Sequence, residues 1–300
     1  MKIRFASVVR RRSTLGVLVW ALTLLPQTGW GQEERKSMPN VTVESRAEME
    51  TALVLGPGKS LKDARMCFER EAVRGYAPAQ VNLAVLYVNG WGTEKNYGAA
   101  LYWLKEAAKQ GQSRAYTNLG LLYLNGWGVA RNDEEALKDF RYAAEHGETG
   151  AMVNVGYMTE NGMGTARDQR AAVEWYRRAA DRGDALGQNN LADLYLRGLG
   201  VAQNDPLAAE WFQKAAEQGN TGARIKLGFL YMTGRGVAKD PTAAYGWILA
   251  GSLAGDHRGD EYLSDLRRQI NSEQAETATR HAEELRQVRQ RNAAEIALVR

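Results

Sequence analysis

The stretch "AYTNLGLLYLNGWGVARNDEEALKDFRYAAEHG", residues 115–147, contains two helical patterns separated by a glycine-rich loop. Apolar residues such as Leu119 and Leu122 recur at helical spacing in its first half, and the second half has the same spacing around Phe140. Asn132 stands just before the second pattern and is a residue type that caps helix N-termini. The stretch therefore predicts two antiparallel helices joined by a tight loop.

The same pattern recurs every 36 residues along the chain. Pairs of glycines mark five such loops, at positions 90/92, 126/128, 162/164, 198/200 and 234/236. A residue type that caps helices precedes the second helix of each copy and of one earlier, degenerate copy: Ser60, Asn96, Asn132, Asp168, Asn204 and Asp240. Five copies without insertion predict an all-α repeat array rather than a compact domain with a single core.

The period also divides the chain. The predicted segments are a signal peptide at 1–31, a linker at 32–42, a degenerate repeat at 43–78, five repeats at 79–114, 115–150, 151–186, 187–222 and 223–258, and C-terminal capping helices at 259–300. The capping helices follow because an open array of repeats needs polar terminal elements to avoid end-to-end association.

The N-terminus has the pattern of an export signal. Five basic residues precede an apolar run at 15–25, and the small residues Gly29 and Gly31 stand where a signal peptidase cleaves. The run is short for a membrane span, so we expect cleavage rather than retention as an anchor. The pattern predicts a periplasmic or secreted protein with no stable membrane anchor after cleavage.

Removal of this segment changes the charge balance. Without its five basic residues, 34 of the 39 Lys and Arg remain against 35 Asp and Glu, so the mature chain is close to neutral. The sequence pI of 9.1 therefore belongs to the signal segment. It gives no reason to expect a nucleic-acid partner.

Residues with catalytic or metal-binding chemistry are few and scattered. His146, His257 and His281 fall at unrelated places in the period and have no ligand partners at metal spacing. Cys67 is the single cysteine, which excludes an intramolecular disulfide. The stretch "GPGKS" at 56–60 lacks the earlier glycine of a nucleotide-binding loop. We therefore expect no catalytic residue, no metal and no cofactor.

These copies resemble the Sel-one-like repeat, a tetratricopeptide-like family of α/α hairpins. The copy at 115–147 has the family's Ala, Leu-Gly, Tyr, Gly-x-Gly-Val, polar cap, Ala, aromatic and Ala-Ala…Gly, although Thr159 and Gly187 depart from the pattern in later copies. The resemblance covers 79–258, with weaker matches over about 43–270. It implies a right-handed α/α solenoid of 36-residue hairpins that acts as a scaffold or adaptor for protein partners of the bacterial periplasm or envelope.

An enzymatic alternative also follows from the resemblance. A branch of the family in Helicobacter, in which a cysteine pair staples each hairpin, has been associated with β-lactam binding or hydrolysis. This chain has no such cysteine pairs. A β-lactam- or cell-wall-related hydrolase is therefore the second hypothesis for the function.

The candidate binding residues occupy one position on the first helix of successive copies. They are Asn82, Asn118, Asn154, Asn190 and, in the fifth copy, Lys226, with Tyr157 next to the row. A row of amides could form hydrogen bonds with the backbone of an extended peptide. The alternative is that each asparagine bonds to nearby helix or loop backbone and spaces the repeats. The sequence leaves both interpretations open.

Trp91 and Trp127 raise a separate question, because each follows the first glycine of its loop. If Gly126 is a left-handed residue just beyond the helix end, Trp127 faces Leu122 across a Schellman motif. The predicted role is a helix C-terminus that is stabilised by an apolar contact. Both rings are larger than this contact requires, and their remaining surface is a further candidate for partner contact.

Overall fold

Helical hairpins stack along the part of the chain that the structure describes. The computed structural model describes the backbone of residues 61–298 and the side chains of residues 61–286. Within these residues there are thirteen α-helices and no strand, and consecutive helix pairs pack as a solenoid. The predicted all-α solenoid is therefore confirmed. The predicted signal peptide, linker and first helix of the degenerate repeat lie outside the described residues, as does Ser60.

Each repeat consists of an A helix followed by a B helix. The A helices are α2 (Ala77–Asn89), α4 (Ser113–Asn125), α6 (Thr149–Asn161), α8 (Ala185–Arg197) and α10 (Thr221–Thr233). The B helices are α3 (Tyr97–Lys109), α5 (Asp133–Glu145), α7 (Gln169–Asp181), α9 (Asp205–Glu217) and α11 (Pro241–Ser252). Helix α1 (Leu61–Val73) precedes them, and a short 3-10 helix (His257–Gly259), α12 (Asp260–Gln269) and α13 (Ser272–Leu298) follow.

The helix ends have the predicted local chemistry. The Oδ1 atom of Asn132 accepts a hydrogen bond from the backbone N–H of Glu135 at 3.0 Å. At the end of α4, Gly126 has a φ of 68°, and the N–H of Trp127 donates to the carbonyl of Leu122 at 2.9 Å. The equivalent bonds in the other four A helices measure 2.8–3.1 Å. The predicted Schellman helix ends are confirmed.

The second glycine of each loop sets the distance to the preceding repeat. Gly164 has a φ of 65°, and a Cβ atom on it would lie 2.3 Å from the carbonyl oxygen of Asp133, the first residue of α5. The same approach to the preceding B helix, at 2.3–2.4 Å, occurs at Gly92, Gly200 and Gly236. At Gly128 the nearest backbone oxygen, that of Tyr97, is 3.1 Å from the Cβ position. The junction between the first and second repeats is therefore more open than the others.

Charged side chains of α1 occupy two positions that are apolar in the repeats. On α1, Arg65 and Glu71 stand where the B helices of the first four repeats have an aliphatic residue and an alanine. Arg65 pairs with Glu69 at 2.7 Å, and Arg74 pairs with Glu71 at 2.9 Å. Two apolar side chains of the same helix, Met66 and Val73, are 55% and 71% exposed.

A long helix closes the C-terminal end. Helix α13 packs on α11 and buries one stripe of side chains: Ala275, Ala278, Ala282 and Leu285. The guanidinium of Arg224, which is 1% exposed, donates to the carbonyls of Ala216, Ala250 and Leu285 at 3.0, 3.2 and 3.4 Å. Arg224 thus joins the fifth repeat to the capping helix.

Candidate protein-binding surface

The predicted row of amides lies on the A helices but differs in exposure from repeat to repeat. Asn82 and Asn154 are each 5% exposed, whereas Asn118, Asn190 and Lys226 are half-buried. Each asparagine precedes a core residue, and close packing of successive helices covers two of them. The row is therefore not a uniformly exposed ladder, and its role in binding stays a prediction.

Hydrogen bonds use only part of the capacity of these amides. The Nδ2 of Asn118 donates to the carbonyl of Arg114 at 2.8 Å, as the structural alternative predicts. The Oδ1 of Asn190 accepts from the Nδ2 of Asn189 at 3.0 Å. Asn154 has no hydrogen-bond partner among the residues that the structure describes. The row thus retains unused donors and acceptors in the second, third and fourth repeats.

A second row of amides, which the sequence reasoning missed, lies on the same helices. Asn89, Asn125 and Asn161 each donate to the carbonyl four residues earlier, at 2.8, 2.9 and 2.8 Å. Each stands seven residues after a member of the first row, so both rows share one helix face. The 36-residue recurrence of asparagine at this position was the signal that could have revealed it.

The face between these rows is apolar or aromatic. In the third repeat, the half-buried Tyr157 stands between Asn154 and Asn161, and in the second repeat Leu121 stands between Asn118 and Asn125. We call these six residues the amide surface. They combine hydrogen-bonding groups with the accessible ring of Tyr157, whereas Leu121 is buried in the core beneath them. This combination suits a polypeptide ligand.

The row becomes charged at its C-terminal end. The Nζ of Lys226 lies 3.0 Å from Oδ1 of Asp193, and Nη1 of Arg197 lies 3.1 Å from Oδ2 of the same carboxylate. Burial raises the pKa of Asp193, but Lys226 and Arg197 together lower it below its ordinary value. Lys226 is therefore already engaged in an ion pair between the fourth and fifth repeats.

The two tryptophans differ in accessibility. Trp91 is 8% exposed and packs in the apolar cluster that contains Leu61 and Leu86. Little of its ring is left for a partner, so the expectation of surplus surface is wrong at this position. Trp127 is half-buried, and its ring stacks on Tyr97 with a centroid distance of 5.6 Å and an interplanar angle of 13°. Much of the Trp127 ring therefore packs on α3, at the junction between the first and second repeats.

The fold brings together one group of residues with catalytic types that the sequence did not reveal. The Nδ1 of His257 lies 2.8 Å from Oδ2 of Asp260 and 3.5 Å from Oγ of Ser252. Hydrogen bonds from Ser252 and His257 lower the pKa of Asp260. A hydrolytic triad needs the acid and the nucleophile on opposite ring nitrogens. Here both face the same nitrogen, so the group closes a turn and does not form a triad.

Neither a metal centre nor a membrane span emerges from the residues 61–298. Across them, no group of three or more His, Cys, Asp or Glu side chains could hold a metal ion. No helix in this range is both long enough and apolar enough to cross a membrane.

Comparisons with known proteins find the same five repeats that the helix pairs define. A family model described as Sel1 repeat matches residues 77–112, 113–148, 149–184, 185–220 and 222–256. A comparison with curated proteins finds no match to this chain.

Two solved structures are similar to the chain at more than 30% identity. A Sel1 repeat protein from Oxalobacter formigenes has 33% identity and a TM-score of 0.67, over 74% of this chain and 66% of that one. A protective antigen present in uropathogenic Escherichia coli strains, displaying an SLR fold, has 31% identity and a TM-score of 0.64, over 85% of this chain and 57% of that one. The chain thus spans slightly under two thirds of the first and just over half of the second. With five matched repeats covering more than half of its residues, the chain belongs to the Sel1 repeat family.

Proposed function

We propose that this protein is a non-enzymatic scaffold or adaptor of the bacterial periplasm or envelope, which holds a partner protein on the amide surface. The Sel1 repeat fold is typical of protein-interaction scaffolds, and proteins of this family bind protein partners. Export is supported by the basic residues and apolar run at the N-terminus of the sequence.

The state of Asn154 carries the proposal for the site. The residue is 5% exposed and its amide has no hydrogen-bond partner among the described residues, but its side-chain nitrogen and oxygen are not fully enclosed. It stands between half-buried amides in the repeats on either side. Because these amide atoms still reach the surface and make no bond within the described residues, they are available to a donor or acceptor of a ligand.

The spacing of the row suits an extended segment of the partner. Packed helices lie about 8–10 Å apart, and an extended chain advances about 3.3 Å per residue. Amides in successive repeats would therefore meet about every third residue of an extended peptide. The half-buried Tyr157, which lies between the two rows, would contact its apolar side chains.

A binding experiment tests the site. The partner is first identified by crosslinking in the native envelope and mass spectrometry. We then expect Asn118→Ala plus Asn154→Ala to weaken capture of that partner about tenfold, with little change in melting temperature. Glu174→Ala plus Glu210→Ala, on exposed positions of the B helices, is the matched control and should bind normally. Loss of stability with intact capture would instead assign the asparagines a structural role.

The hydrolase hypothesis has a direct test. The geometry around His257 provides no nucleophile paired with a base, which favours the scaffold. We expect no hydrolysis when the purified protein is incubated with a chromogenic β-lactam. Sustained turnover would overturn the proposal of a non-enzymatic protein.

A further inference from the structure

One position of the B helices carries tryptophan in every repeat except the second. The row consists of Trp103, Trp175, Trp211 and Trp247, and Asp139 takes the same place in α5. Trp103 packs against the apolar cluster that includes α1 and against that of its own repeat, and Trp211 likewise packs against two neighbouring clusters. Trp247 contacts His281 of α13, with a centroid distance of 5.4 Å. Asp139 therefore places a carboxyl group where the other junctions have an indole.

The carboxyl group of Asp139 is enclosed without adequate hydrogen bonding. The residue is 6% exposed, and its Oδ2 atom has no hydrogen-bond partner within the described part of the chain. A buried carboxylate in this state is strongly disfavoured, whereas the neutral acid is tolerated.

The titratable groups around Asp139 come from three helices. Glu135 and Lys138 lie on its own helix, Lys105 on α3, and Tyr116 and Tyr123 on α4. Lys138 is already bonded to Glu135 at 2.7 Å. Burial raises the pKa of Asp139 to about 7, Glu135 acts in the same direction, and Lys138 and Lys105 oppose it only in part.

The junction that contains Asp139 is also the most loosely built. The Cβ position of Gly128 is 3.1 Å from the carbonyl oxygen of Tyr97, against 2.3–2.4 Å at the four equivalent contacts. Helices α3 and α4 pack less closely than the other equivalent pairs of a B helix and the next A helix.

We propose that the junction between the first and second repeats is a pH-sensitive hinge. The neutral carboxyl of Asp139 keeps α5 packed against α3 and α4, and its ionisation loosens this contact so that water reaches the carboxylate. Each repeat contacts only its neighbours, so a change at one junction reorients everything before it relative to everything after it. The inference is independent of the identity of any partner and of the amide surface.

Distances between spin labels on the full chain test the hinge. Lys109, Glu145, Asp181 and Glu217 are exposed at equivalent positions of four successive B helices. In a Cys67→Ser background, labels at 109 and 181 span the hinge and one further junction. Labels at 145 and 217 also span two junctions but not the hinge, and they form the matched control.

We expect the distance distribution between 109 and 181 to shift and broaden between about pH 5.5 and about pH 8.5. The distribution between 145 and 217 should stay the same. Asp139→Asn, which cannot ionise, and Asp139→Trp, which restores the row, should each abolish the shift, with circular dichroism confirming that both fold. An unchanged 109/181 distribution in the parent chain, or an equal shift in Asp139→Asn, would overturn the proposal.

Discussion

Gly164 packs directly against the backbone carbonyl of Asp133, and a Cβ atom on the glycine would lie 2.3 Å from the carbonyl oxygen. Because this oxygen belongs to the first turn of α5, relief requires movement of one repeat relative to the next. The φ of Gly164 is also positive, at 65°, which an alanine adopts at a penalty of about 1–2 kcal/mol.

Gly164→Ala should therefore lower the free energy of unfolding by about 2 kcal/mol or more, measured by urea denaturation. Gly150 is the matched control, since it lies in helix α6 with nothing within 4 Å of its Cβ position. Gly150→Ala should raise stability by about 0.5–1 kcal/mol. Equal effects of the two substitutions would contradict the role assigned to the second glycine.

The stability of the protein should fall as the pH rises through the range in which Asp139 ionises. The folded state holds this proton up to about pH 7, whereas the unfolded chain releases it near the ordinary aspartate pKa of 3.8. Between these limits the folded state binds more protons, so the contribution of Asp139 to the unfolding free energy declines with pH and levels off above 7. Asp139→Asn should be more stable than the parent at pH 8.5, by on the order of 3 kcal/mol.

Urea titrations at several pH values check this prediction. The exposed Asp181 on α7 provides the control, because Asp181→Asn should leave the difference between acidic and basic pH unchanged. An Asp139→Asn variant that follows the parent at every pH would show that another group controls the dependence.

Substitutions of Arg224 should have graded effects. At the equivalent position, Gln188 donates only to the carbonyl of Ala180, at 3.3 Å, so Arg224→Gln should keep the bond to Ala216 and lose the other two. Arg224→Met loses all three, leaving buried carbonyls without these donors. We expect losses of about 1–2 kcal/mol for glutamine and about 3–4 kcal/mol for methionine. Proteolysis of α13 should accelerate in the same order. If neither substitution changed the stability or the rate of proteolysis, Arg224 would not hold α13 to the fifth repeat.

The two loop tryptophans should also separate by their burial. Trp91→Leu removes ring atoms from a packed cluster and should destabilise by about 2–3 kcal/mol. Trp127→Leu loses the stack on Tyr97 but leaves less of a cavity, so about 1 kcal/mol is expected. Thermal unfolding of the single variants measures both. A larger effect at Trp127 would be inconsistent with the burial of the two rings.

Features that depend on nearby residues could be predicted from the sequence. The cap at Asn132 and the helix end formed by Gly126, Trp127 and Leu122 involve residues within a few positions of one another. Their spacing in the sequence determines their hydrogen bonds, and the packing of neighbouring repeats does not change them. The period of 36 then extends the same result to every copy.

Features that depend on the approach of two repeats could not be predicted in this way. The sequence does not show that Asn154 is covered while Asn190 is half-buried, because this depends on how closely successive A helices pack. Ser252, His257 and Asp260 meet where the period ends and the chain turns into α12. Asp139 looks like an ordinary helical acid until the tryptophan row is aligned with it.

The bond from Arg224 to the carbonyl of Leu285 joins positions 61 residues apart, and this has a consequence for synthesis of the chain. A ribosome releases the first four repeats well before α13, and each can fold on its predecessor. The fifth repeat emerges with its guanidinium lacking the acceptor that α13 supplies. A chain truncated before α13 therefore leaves its last hairpin less protected from proteases, so Arg224 links the durability of the fifth repeat to synthesis of the capping helix.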